Sequence, residues 1–219
     1  TLFQIQGKPI LIRVAELLAP YDLNPTIIVS PNGQALIHEC LNASGVVAHL
    51  VVQPEPRGMG DAVLRFDQSP AFANAEHVLL VWGDVPFIQP ETLATIMKVH
   101  IKHDNDFTFA TRQVESAYTM VSRNTLGQVT GVVETREQGI FTPQAGERDI
   151  GLFIFRKAVV LDALREELSN KWGKSTDEHG FLYVIEHLAV RGLRVEALPV
   201  ATELELVSLN SLKDVDAYL

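Results

Sequence analysis

The sequence predicts a single α/β domain (residues 1–219) with a mixed, mostly parallel sheet, helices on both of its faces, and a β-rich insertion. Three observations carry that expectation. Through residue 102 short strands alternate with helices, the signature of strand–helix–strand units. Those strands are apolar throughout instead of at every second residue, as when a parallel sheet is covered on both sides. After residue 107 the alternation gives way to strand following strand.

The elements follow in order. Gly7-Lys8-Pro9 opens a helix, since proline is tolerated at the first helical position; Ile10, Leu11, Val14, Leu17 and Leu18 give it one buried face and Pro20 ends it. Residues 26–30 (TIIVS) form a first buried strand. Leu36, Ile37, Cys40 and Leu41 mark a second helix, and residues 46–52 a second strand. A loop over 53–60 with two prolines and two glycines leads to a short helix over 61–67. Residues 78–82 are a third buried strand, followed by a helix over about 91–102. Residues 107–112, 118–123, 129–134 and 150–156 are expected as strands of a mixed extension of the sheet. Val160, Leu161, Leu164 and Leu168 mark one further helix, and Leu182, Ile185, Leu188 and Ala189 another. A strand over 194–200 precedes 206–210 and a terminal helix.

The 219 residues carry 18 basic and 27 acidic side chains, a formal charge of −9. Without a Lys/Arg-rich block to offset that charge, nucleic acid is not an expected partner. No apolar stretch approaches the roughly 20 residues a membrane helix requires. The single Cys40 cannot close an internal disulfide, which fits a reducing, cytoplasmic setting, and no signal pattern opens the chain. Oligomeric state is not legible.

Ligands of open parallel sheets bind beyond the carboxyl ends of the strands. Two segments fall there. In QPEPRGMGDA (residues 53–62), Gly58 and Gly60 allow the backbone to approach a flat ligand, and the Gln53 amide offers a donor and an acceptor edge to a nucleobase. An ordinary strand-to-helix turn that needs glycine for its geometry explains the same residues. In Trp82-Gly83-Asp84-Val85-Pro86, a carboxylate ends an apolar strand, suited to Mg²⁺ shared with phosphates; a turn-closing Asp is the alternative. His100 and His103 are expected at a solvated helix end, Cys40 in the core, and 177–179 on the surface.

The stretches VWGDVPFIQPETL (81–93) and QPEPRGMGDA resemble the nucleotide-sugar pyrophosphorylases, closest to the N-acetylglucosamine-1-phosphate uridyltransferase domain with its Q-x-E-x-x-G-T-G-x-A and Y-G-D-V-P-L-I motifs. The resemblance runs the length of the chain through Gly7-Lys8-Pro9, VTGVVE (129–134), Asp149–Gly151 and VSLN (207–210). It implies the Rossmann-like nucleotide-diphospho-sugar transferase fold. It also implies nucleotidyl transfer from a nucleoside triphosphate, UTP, to a sugar 1-phosphate, N-acetylglucosamine 1-phosphate, with release of pyrophosphate, as in UDP-N-acetylglucosamine biosynthesis. By the same resemblance Gln53 reads the uracil edge, with Gly58 and Met59 beside the base and Trp82 and Gly83 near the nucleoside. Asp84 and Asn210 hold Mg²⁺, and Thr119, Glu134 and Asp149 line the sugar.

This chain departs from the family pattern in several places. Met59 stands for a threonine, Trp82 for a tyrosine, Thr119 for a glycine, and Asp149-Ile150-Gly151 for Asn-Thr-Gly. The family's Leu-x-x-Gly-x-Gly-Thr-Arg…Pro-Lys signature, with the first, central strand, would fall just before Thr1. The expectation is therefore a piece of a longer protein, with little or no turnover by itself. The alternative is a catalytically impaired nucleotide-sugar-binding or regulatory module of the same fold.

Overall fold

The structure, a computed structural model, describes residues 1–137, 139 and 144–209. It opens on a hairpin of β1 (Gln4–Ile5) and β2 (Lys8–Pro9), turned by Gly7 at φ 76°. Pro9 precedes α1 (Ile10–Leu18), its fixed φ setting the chain to enter the helix. Then come β3 (Thr26–Val29), α2 (Gln34–Ala43) and β4 (His49–Val52). β3 and β4 pair in parallel, from Thr26↔His49 to Val29↔Val52.

After β4 the chain forms α3 (Met59–Leu64), β5 (His77–Val81) and α4 (Pro90–His103). α4 has no cap of its own. The buried Glu205 supplies one from 116 residues away, accepting the Gln89 N–H at 2.9 Å and the Thr92 hydroxyl at 3.1 Å. β6 (Phe107–Val114), β7 (Thr119–Arg123), β8 (Val129–Glu134) and β9 (Gly146–Arg156) follow, then α5 (Lys157–Arg165), α6 (Tyr183–Val190) and β10 (Val195–Leu198).

The main sheet has the order β10-β6-β9-β5, with β9 antiparallel to both neighbours and β10 parallel to β6. β3 and β4 form a separate pair. Of the strands expected to extend the sheet, β6 and β9 do so, while among the described residues β7 and β8 pair only with each other. The core of the main sheet is a cluster of fully buried rings: Phe107, Phe109, Phe153, Phe155 and Phe181. The expected terminal helix lies outside the described residues. No described helix is long and apolar enough to cross a membrane.

Candidate functional site

The carboxyl ends of β4 and β5 open into one cleft of about 810 Å³, and Gln53, Met59, Trp82 and Gly83 all line it. Four residues expected to meet a nucleotide are thus brought together from two sequence segments. Gln53 follows β4 directly. Its amide is pinned: the NH₂ group donates to Gly58 O at 3.0 Å and to Asp61 Oδ2 at 2.9 Å. The donor edge is spent inside the loop, and the free edge is the Oε1 acceptor. Burial pushes the Asp61 carboxyl up, but the bonds from Gln53 and Arg65 hold it below the usual carboxylate range, so the anchor for Gln53 stays ionised.

The glycines of this loop have a reason the sequence did not disclose. A Cβ on Gly58 would come within 2.5 Å of His179 O, and Gly58 sits at φ 104°. A Cβ on Gly60 would fall 2.1 Å from Gly180 O. The 178–180 backbone presses against the loop, with His179 N–H donating to Arg57 O and Gly60 N–H to His179 O. Close packing against the 178–180 backbone, which neither reading of the sequence anticipated, requires glycine at both positions. His179, expected at the surface, is 3% exposed. Its ring lies tilted 6.0 Å from that of Tyr183, and burial together with Lys171 depresses its pKa. Sequence reasoning missed this supporting segment because its residues are polar and show no period.

Asp84 stands one residue beyond Gly83, half-buried at the lip. Its Oδ2 accepts the Ser208 hydroxyl at 2.6 Å and its backbone oxygen accepts the Leu209 N–H at 2.9 Å. Segment 207–209 is thereby tied to the end of β5, as the shared metal role of Asp84 and Asn210 would require. Asn210 itself lies outside the described residues. Among the described residues no three acidic, His or Cys side chains converge on a metal position. One carboxylate, with Oδ1 unengaged by any described residue, fits Mg²⁺, which keeps most of its shell as water and phosphate oxygen.

The expected sugar residues also converge, with a correction. Thr119 lies opposite Glu134 across the β7–β8 pair, and its hydroxyl donates to Asp149 on β9. Asp149 accepts the Gly151 N–H at 3.0 Å on its other oxygen. Thr119 is 2% exposed and Asp149 fully buried, so the two face each other inside the wall and present no polar atom to a ligand. Only Glu134 of the three is partly open, and burial, reinforced by Glu137, raises its pKa. Beside this wall Arg148 lies over the Tyr118 ring, 3.9 Å from its centroid. Trp82 packs on Phe153, with Gly151 at φ 74° leaving room for its ring.

One further expectation is overturned. His100 is not a solvated helix end: it is 1% exposed and bonded to His77 and Thr108, each at 2.9 Å. Arg123 is paired with Glu147 at 2.7 Å. Cys40, in contrast, packs against the cluster under α2 as expected.

Residues 1–175 match the family of MobA-like NTP transferase domains. Curated relatives include the bifunctional protein GlmU of Koribacter versatilis, 30% identical over 100% of this chain and 47% of that protein, and that of Corynebacterium glutamicum, 28% identical over 96% and 44%. The chain spans about half the length of the curated relatives it matches. Among solved structures, a nucleoside-diphosphate-sugar pyrophosphorylase from Vibrio cholerae superposes with a TM-score of 0.72 at 17% identity, covering 100% of this chain and 90% of that one. A UDP-glucose pyrophosphorylase complexed with UDP-glucose gives 0.68 at 16%, covering 99% and 89%. At that identity they show the nucleotide-diphospho-sugar transferase fold.

Proposed function

This chain belongs to the family of MobA-like NTP transferase domains, and we propose that it transfers a uridylyl group from UTP to N-acetylglucosamine 1-phosphate, releasing pyrophosphate. The observation that carries the reading is the meeting of Gln53, Met59, Trp82 and Gly83 in one cleft, with Asp84 at its lip. A phosphate oxygen of the sugar 1-phosphate attacks the α-phosphorus, the bond to the β-phosphate breaks, and pyrophosphate departs with the electron pair. No protein nucleophile is required; alignment and charge neutralisation are.

The residues divide that work. Gln53, its NH₂ fixed by Gly58 and Asp61, presents Oε1 to a ring N–H, as uracil has at N3 and cytosine lacks. Met59 and Trp82 offer apolar surface to the base and ribose. Asp84 and Asn210 would hold Mg²⁺, which when bound neutralises phosphate charge. Glu134 is the carboxylate placed to meet a sugar hydroxyl or amide. The GlmU relatives and the pyrophosphorylase fold support this substrate class. A second reading, a nucleotide-sugar-binding module without turnover, draws on the burial of Thr119 and Asp149, which leaves the sugar fewer contacts.

Calorimetric titration with UTP, CTP and GTP, with and without Mg²⁺, tests the nucleotide reading. UTP binds most tightly and only with Mg²⁺. Asp84→Asn lowers that affinity at least about tenfold, as expected for loss of a charged contact, without changing the unfolding midpoint. Unchanged binding in Asp84→Asn, or an equal response to GTP, refutes the reading. Pyrophosphate release on adding sugar 1-phosphates separates enzyme from binding module.

A further inference from the structure

Arginines in this acidic chain find carboxylates, and two neighbours are exceptions. Arg112 and Arg148 stand directly opposite each other where β6 pairs with β9, so both side chains leave the same face of the sheet. Among the described residues neither has a carboxylate within ion-pair distance, whereas every other arginine but Arg13 does. Like charges directly opposite on paired strands destabilise a sheet. Only neutral oxygens answer these two. Arg112 donates to Ala201 O at 3.0 Å, and Arg148 to Leu206 O at 3.2 Å and the Tyr118 hydroxyl at 2.7 Å. The Arg148 Nε is buried and, among the described residues, has no hydrogen-bond partner.

The pair sits at the rim of the sheet that carries the site. β5 ends at Val81, opposite Leu152, and β9 runs antiparallel to it, so Arg148 lies beyond the carboxyl end of β5. Gly83 and Asp84 emerge at the same rim. Arg148 and Asp84 hold one short segment from two points: Leu206 O accepts from Arg148, while Ser208 Oγ and Leu209 N–H donate to Asp84. Val207 between them is extended, which sets the two anchors about 7 Å apart. Tyr118 reaches the other way. Its backbone oxygen accepts the Thr135 N–H at 2.9 Å and the Thr135 hydroxyl at 3.0 Å, beside Glu134. Its side chain is exposed, and burial of the phenol raises its pKa, so the hydroxyl keeps its proton. With one lone pair taken by Arg148, that proton is left to donate outward.

We propose that Arg148, with the Tyr118 hydroxyl beside it, grips the phosphate of the sugar 1-phosphate, and that Arg112 adds its charge from the neighbouring strand. This rests on the nucleotidyl-transfer reading above. A sugar 1-phosphate is neutral at its sugar end and anionic at the other. With its hydroxyls against Glu134 and its attacking oxygen turned to the nucleotide phosphates at Asp84, its phosphate falls between Tyr118 and Leu206. A guanidinium there offsets the repulsion between two anions that must meet. One phosphate oxygen attacks while others stay on Arg148, whose planar fork suits them. The sugar without its phosphate gains nothing from Arg148, and UTP, held at Gln53 and Asp84, gains little.

The test titrates N-acetylglucosamine 1-phosphate, glucose 1-phosphate, N-acetylglucosamine and UTP separately, each with Mg²⁺, by calorimetry. Arg148→Met keeps a long apolar stem over Tyr118 and removes the charge. It weakens the sugar 1-phosphate by about 10- to 100-fold, as loss of a charged hydrogen bond does, and leaves UTP affinity and the unfolding midpoint unchanged. Arg148→Lys recovers part of that loss, and Tyr118→Phe costs about 2- to 10-fold. Equal weakening of UTP and sugar 1-phosphate overturns the proposal, because Arg148 would then act through Leu206 O on the Asp84 segment. Unchanged sugar 1-phosphate affinity in Arg148→Met overturns it and leaves the UTP reading standing. A chain that binds UTP but no sugar 1-phosphate overturns it in favour of the binding module. If glucose 1-phosphate binds instead, with the same dependence on Arg148, the proposal stands and the N-acetylated sugar falls. The sugar titrations contain no UTP, so failure of the nucleotide reading does not enter them.

Discussion

β9 and β5 are neighbours in one sheet and equally apolar, yet they live in different surroundings. From Ile150 to Phe155 every residue of β9 is buried, and Phe107 stacks on Phe155 with ring centroids 5.7 Å apart. Every residue of β5 is half-exposed. The difference is not hydrophobicity but edges: among the described residues β9 is paired on both sides, β5 on one. A strand's apolar surface stabilises the fold only as far as neighbours cover it.

That contrast breaks or stands on a pair of truncations. Phe153→Ala removes a ring in contact with Trp82, Phe107, Phe109 and Phe181 and is expected to cost about 3–5 kcal/mol in urea unfolding. Leu80→Ala, on the half-open strand, is expected to cost less than about 2 kcal/mol, because part of its surface already meets water. Equal costs would mean that the cleft contributes as much as the closed core.

A smaller effect sharpens the boundary between the two regions. His100 on α4 bridges them, bonding His77 on β5 and Thr108 on β6. Burial, with the nearby charges of His77 and Arg156, lowers its pKa to about 4 from the ordinary imidazole value of about 6.5. The unfolded chain therefore binds the extra proton first. Stability from this group is full above pH 6.5 and is lost as pH falls towards 4, by roughly 3 kcal/mol at most. Urea midpoints between pH 7 and pH 4.5 should show the slope, and His100→Gln should flatten it. An unchanged slope would place the acid sensitivity elsewhere.

How much of this was legible depended on whether a residue's task is local. The βα alternation, Cys40 in the core, and the convergence of Gln53 with Trp82 and Gly83 follow from period and from the rule that strand ends make the site. The misreadings share one cause. His100, His179, Thr119 and Asp149 are polar residues whose partners lie far along the chain, or on another element, and no spacing encodes those partners. Gly58 and Gly60 also meet a packing need that no spacing encodes, since the 178–180 backbone fills the space a Cβ would take. The open edge of β5 was likewise invisible in residues 77–81, since an apolar strand reads the same with one neighbour or two.

The subtlest expected effect concerns the sugar wall. Burial drives the Asp149 carboxyl up, while the Thr119 hydroxyl and the Gly151 N–H hold it back; the net direction is upward. A carboxyl raised on folding keeps its proton longer than in the unfolded chain, so its contribution is full below the unfolded value and is lost as pH rises through the folded one. At neutral pH Asp149 is therefore a liability. Asn in its place can accept the Gly151 N–H and donate to Thr119 Oγ1, meeting both partners with no charge to bury. Asp149→Asn is expected to raise the unfolding free energy at pH 7 by about 1 kcal/mol and to leave it unchanged near pH 3. Lower stability at pH 7 would show that the ionised carboxylate is held for a purpose the wall does not explain, and would return Asp149 to the list of groups that face the sugar.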